Sequence, residues 1–133
     1  MLPHFNESGY LPAGIHLADL AEIEIRFGTE SEIRRVQMES LRWLVALAQR
    51  TGVERIIING SFVTDVLEPN DVDCVLLINP NSRGDELAIE ELLTGLPFIQ
   101  LQLVEEPVFR VFVTQIFATD RKLKPKGVVE VIR

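Results

Sequence analysis

Two short apolar runs set the terms on which this chain folds. Arg55-Ile-Ile-Ile-Asn59 is a run of β-branched residues too short for a helix, and Val72 to Ile78 is a second apolar run of strand length. The first reads as a strand buried on both faces, so helices must pack on the sheet it joins. Three helices are legible. Leu17 to Phe27 carries Leu20, Ile23 and Phe27 at spacings of three and four, and Gly28 fits its stop. Ser31 to Arg50 follows the capping-box pattern Thr29-Glu-Ser-Glu32 and repeats Leu41, Leu44, Val45 and Ala48 before Gly52. Asp85 to Leu93 carries Leu87, Ile89, Leu92 and Leu93 and ends at Gly95 and Pro97.

Further strands are expected at Phe98 to Val104, where Ile99, Leu101 and Leu103 alternate with Gln100 and Gln102, at Val108 to Phe117 after Pro107, and at Val128 to Ile132. The first sixteen residues read as an extended lead-in, Phe62 to Val66 as a turn or helical stub, and Asn79-Pro-Asn-Ser82 as the turn closing the second strand. The expected order is α-α-β-β-α-β-β-β, an α+β fold (mixed α/β) whose mixed sheet is flanked by helices.

With 133 residues and no repeat or linker, the chain is expected to form one domain over 1–133. The lone cysteine, Cys74, cannot form an internal disulfide, which suits a reducing, cytoplasmic setting. No apolar run reaches the roughly 18 residues that cross a bilayer, and Met1-Leu-Pro-His-Phe-Asn-Glu7 has no signal-peptide pattern, so no membrane partner is expected. Thirteen basic against 20 acidic side chains give a net charge of −7, which argues against a broad grip on nucleic acid. A small, local anion site remains compatible with that balance.

The chemistry concentrates in Ile57-Ile58-Asn59-Gly60-Ser61-Phe62 and Pro69-Asn70-Asp71-Val72-Asp73-Cys74. Along a strand, residues two apart share a face, so Asp71 and Asp73 point the same way. Paired carboxylates repel, and burial raises a pKa unless a cation is present. Mg²⁺ resolves that conflict, since it prefers oxygen ligands, keeps waters and takes substrate phosphates as its remaining ligands. Gly60-Ser61 follows a buried strand, which permits close backbone approach to an anion and supplies a hydroxyl. The combination describes metal-assisted phosphoryl or nucleotidyl transfer. The competing reading makes Asp71 and Asp73 loop-end caps, but Asp73 runs into Cys-Val-Leu-Leu-Ile, where an unpaired carboxylate is costly.

An apolar strand, Gly60-Ser61, a gap of nine residues and then Asp71-Val72-Asp73 resembles the nucleotidyltransferase superfamily that includes DNA polymerase beta and the minimal nucleotidyltransferases. The resemblance implies that Gly60 and Ser61 cradle substrate phosphate. It also implies that Asp71 and Asp73 are the catalytic residues and hold Mg²⁺, with a nucleoside triphosphate as substrate and a protein or RNA hydroxyl as acceptor. Beyond this segment, Leu11-Pro-Ala-Gly-Ile-His16, Arg26-Phe-Gly-Thr29, Gly60-Ser-Phe-Val-Thr64 and Lys124-Pro-Lys-Gly127 resemble a small bacterial family of that fold. The chain departs from the superfamily in one respect. A third carboxylate is usual on a later strand, and the natural positions here carry Gln100, Gln102 and Gln115, while Glu105 and Glu106 sit at a strand end. An amide binds a cation through its carbonyl but brings no charge and is a poor base. The alternative is therefore a catalytically degenerate interaction module, an antitoxin-like or regulatory protein whose partner is a toxin or another protein.

The remaining conspicuous residues have plainer readings. His4 and His16 lack a second ligand at zinc spacing, Cys74 reads as a core residue facing away from the acids, and Trp43 as packing or interface. Thr64 and Asp65 read as parts of a solvated stub, and Arg34-Arg35 as a solvated helix face. Arg121, Lys122, Lys124 and Lys126 form the one basic cluster, read as a surface turn or, less readily, as a triphosphate clamp.

Overall fold

A computed structural model describes residues 1–81 and 84–133. Ser82, at the end of the expected turn, lies outside the described residues. Among the described residues the chain orders β1 (Gly14–Ala18), α1 (Leu20–Phe27), α2 (Glu32–Gln49), β2 (Val53–Asn59), a 3₁₀ turn (Ser61–Val63), β3 (Val72–Ile78), α3 (Glu86–Thr94), β4 (Ile99–Val104), α4 (Glu106–Val111) running into a π-helical turn (Phe112–Ile116), and β5 (Gly127–Val131). The fold is α+β, with a mixed sheet in the order β1-β5-β2-β3-β4. The two apolar runs are its centre: β2 lies antiparallel to both β3 and β5, and β3 lies parallel to β4.

Side-chain alternation divides the centre of the sheet into two cores. Ile56, Ile58, Cys74, Leu76, Val129 and Val131 face α1, α2 and α3, where Ile23, Phe27, Leu41, Leu44, Val45, Ala48 and Leu92 cover them. Ile57, Val75, Leu77 and Val128 face the other way, under Phe109, Phe117 and the partly buried Phe112 and Val113. Cys74 is thus a buried core residue on the face opposite Asp73, as its position in the strand implies.

Five expectations are corrected. The segment from Val108 to Phe117 is helical, not a strand. Its β-branched composition favours a strand, but Pro107 starts a helix readily, and Phe109, Phe112 and Val113 at i, i+3 and i+4 present one apolar stripe to the uncovered sheet face. The lead-in contains β1, parallel to β5 with Ile15 opposite Val128, and α1 begins only at Leu20, where the Asp19 side chain caps the Glu22 N–H. Helix α2 is capped by the Ser31 hydroxyl, which accepts from Arg34 N–H, rather than by Thr29. Arg34 itself is not a solvated residue: it is 2% exposed.

Candidate functional site

Asp71 and Asp73 stand at the start of β3, and Gly60 and Ser61 follow the end of β2 beside it. Asn59 is the cross-strand partner of Asp73, so the antiparallel ladder itself brings the bend and the acids together. Gly60 adopts φ +78°, and a Cβ there would lie well under contact distance of Asp73 Oδ2. Only glycine allows both that backbone and that carboxylate position. Asp73 is half-buried, and its pKa is raised first by loss of solvent and then by the charge of Asp71, with Lys126 working the other way. Neither acid is in an ion pair among the described residues.

The bend is fixed from behind by α2. The Arg34 guanidinium donates to the carbonyls of Phe62 at 2.7 Å, Thr64 at 2.9 Å, Phe27 at 3.0 Å and Ser61 at 3.3 Å, and its Nε donates to Val66 at 3.0 Å. One helical turn on, Gln37 Nε2 donates to Pro69 O at 2.6 Å. Two buried polar side chains thus grip both ends of the connection between β2 and β3. Burial lowers the Arg34 pKa, while Glu30 and Asp65 work against that. The Thr64 hydroxyl donates to Ser61 O at 2.7 Å and is buried, whereas Asp65 is exposed, so the stub leaves the acids to Gly60 and Ser61.

The expected later carboxylate is not supplied. Gln100 is the parallel-ladder partner of Asp73, and its Nε2 lies 3.5 Å from Asp71 Oδ2. Gln102 stands opposite Val75, and Gln115 is on the π-helical turn rather than on a strand. Glu105 and Glu106 follow the far end of β4, about 20 Å from the acids for six residues of strand. There they line a concave region of about 350 Å³ with Glu54 and Ile78 that contains none of the candidate residues. Among the described residues no group of three His, Cys, Asp or Glu side chains could hold a metal.

The basic cluster divides. Arg121, Lys122 and Lys124 line an open groove with Tyr10 and Asp120, whose carboxylate accepts from the Tyr10 hydroxyl at 2.8 Å and from the N–H groups of Lys122 and Lys124. Lys126, half-buried before β5, is the member that acts on Asp73. It also borders an apolar cavity of about 190 Å³ with Ile15, Val113, Ala118 and Val128. His16 turns its Nε2 to Pro12 O at 2.6 Å, and Trp43 Nε1 donates to Glu91 at 3.0 Å, so each has a local structural partner. No described helix is long and apolar enough to cross a membrane.

Comparison with curated proteins and with solved structures finds no match to the chain. Residues 3–132 match the family of unknown function DUF6932, and with nearly the whole chain inside that match, the protein belongs to that family.

Proposed function

We propose that the chain binds a nucleoside triphosphate with Mg²⁺ at the Gly60–Asp73 junction and transfers a nucleotidyl group to a hydroxyl of a protein or RNA partner. The observation that carries this reading is the contact between a positive-φ glycine and the carboxylate of Asp73, with Asp71 on the same face. The donor set suits the ion: hard oxygens, two negative charges and no ion pair among the described residues to neutralise them. When bound, Mg²⁺ would neutralise charge developing on the transferred phosphoryl group. The residues of the chain do the rest. Asp71 and Asp73 hold the ion, bare backbone at Gly60 admits phosphate oxygens, and the Ser61 hydroxyl donates to them. Lys126 adds a positive charge on the side facing Asp73, and the apolar cavity beside it offers a dry wall to a base.

A second reading, an antitoxin-like or regulatory module without chemistry, is favoured by one observation: Gln100, beside Asp73, brings no charge to the place of a third acid. Calorimetric titration with ATP and Mg²⁺ tests the first reading, which expects saturable binding that Asp71→Asn and Asp73→Asn remove with the fold intact. Absence of binding at millimolar ligand would overturn it. Labelled nucleotide incorporated into a co-purifying partner, and lost in Asp73→Asn, separates the enzyme from the module.

A further inference from the structure

Asn59 closes β2 directly opposite Asp73. Directly paired residues on antiparallel strands share a face, with Cβ atoms about 4.5–5.5 Å apart. The same face carries Ile57, Val75 and Leu77 in the core beneath α4, and Asn59 and Asp73 continue those rows past its edge. Asn59 is only 5% exposed, and its Oδ1, like Oε1 of Gln37 on α2, has no hydrogen-bond partner among the described residues; of the two, only Asn59 stands opposite an acid. Buried polar atoms are nearly always paired, and an isoleucine or valine at this place would continue the β2 pattern without that cost. A bound cation satisfies such an acceptor together with the two carboxylates beside it, whereas a water satisfies it without drawing on their charge.

We propose that Asn59 Oδ1 is the third oxygen ligand of a divalent cation held by Asp71 and Asp73. The inference rests on the metal site proposed above and specifies its composition. A count of acids stops at two here, because the third ligand is an amide and comes from the strand before the bend rather than from a later one. The ligand set carries two negative charges, so one divalent ion neutralises it. That charge balance assigns a single-ion site, with Lys126 left to balance substrate phosphate.

The test uses Mn²⁺ alone as the probe, titrated into the intact protein and followed by electron paramagnetic resonance. The wild type is expected to bind one Mn²⁺ per chain. Asn59→Leu should weaken binding about tenfold and Asn59→Asp should tighten it about tenfold, following ligand count and charge. In the metal-free state Asn59→Leu should melt no lower than the wild type, since it removes a buried unpaired oxygen, whereas a merely structural asparagine would lower the melting temperature. Should Asn59→Leu be poorly folded, Asn59→Ala, which also removes the amide oxygen, reads the same loss of Mn²⁺ affinity. Unchanged Mn²⁺ affinity in Asn59→Leu, with binding lost in Asp73→Asn, overturns this inference and leaves the two-acid site standing. No Mn²⁺ uptake by the wild type at millimolar concentration overturns both.

Discussion

At Asp73, burial and the neighbouring charge of Asp71 both favour the protonated acid, and Lys126 offsets only part of that. A carboxyl whose folded pKa lies above its unfolded value supports folding while protonated and ceases to as pH rises through the folded pKa. Asp73→Asn is therefore expected to raise the stability of the metal-free protein at pH 7–8. The advantage should shrink as pH falls towards the ordinary aspartate value of 3.8. Urea titrations of both proteins between pH 8 and pH 4 check the sign, and an advantage that grows on acidification would contradict it. Gly60→Ala should cost about 1–3 kcal/mol, since alanine is strained at φ +78° and its methyl displaces the Asp73 carboxylate. Chemical denaturation reads the loss, and metal titration of the folded fraction should show weakened binding.

At the scale of elements, the connection between β2 and β3 has little regular structure beyond one 3₁₀ turn, yet it carries the bend. Helix α2 supplies the order, through Arg34 on the carbonyls of residues 61–66 and Gln37 on Pro69. Hydrogen bonds from a charged donor are worth about 1.5–3 kcal/mol each, and carbonyls left buried without a donor add to the loss. Arg34→Met is expected to destabilise the protein by about 3 kcal/mol or more, measured by urea denaturation. Arg34→Lys should restore little, because one ammonium cannot reach carbonyls spread around a planar fork. Recovery of full stability by lysine would show that charge alone holds the bend. Neither neighbour in sequence distinguishes Arg34 from Arg35; the distinction arises because position 34 lies three residues before Gln37 on the face turned to the connection.

At the scale of the whole molecule, the sheet centre is apolar on both faces, and its two covers are unequal. Three helices lie on one side, and a single helical segment lies on the other, anchored by Phe109 at 2% exposure and Phe117 at 8%. The Arg55 guanidinium, paired to Glu130 at 2.6 Å, also stacks over the Phe109 ring at 5.1 Å. Phe109→Ala should cost about 3–5 kcal/mol, as a buried aromatic deletion does. The loss is read by thermal or urea unfolding, and a cost below about 1 kcal/mol would mean that this cover is not packed on Ile57, Val75 and Leu77.

Local chemistry was enough to read the two central strands, α1 through α3 within a few residues, Cys74 as a core residue, and Asp71 and Asp73 on one face. Each depends on spacing along the chain or on strand alternation, which neighbouring residues determine among themselves. Four features became visible only once the chain was folded: β1, the helix in place of a strand at 106–116, the buried Arg34, and Asn59 as the partner of Asp73. The segment after Pro107 carries β-branched residues and a helical stripe at once, and the uncovered sheet face selects the stripe. Strand β1 exists because β5, over a hundred residues later, offers an edge with free hydrogen-bonding groups. Burial of Arg34 and an unpaired oxygen on Asn59 are properties of what surrounds a side chain, and distant segments of the chain supply those surroundings.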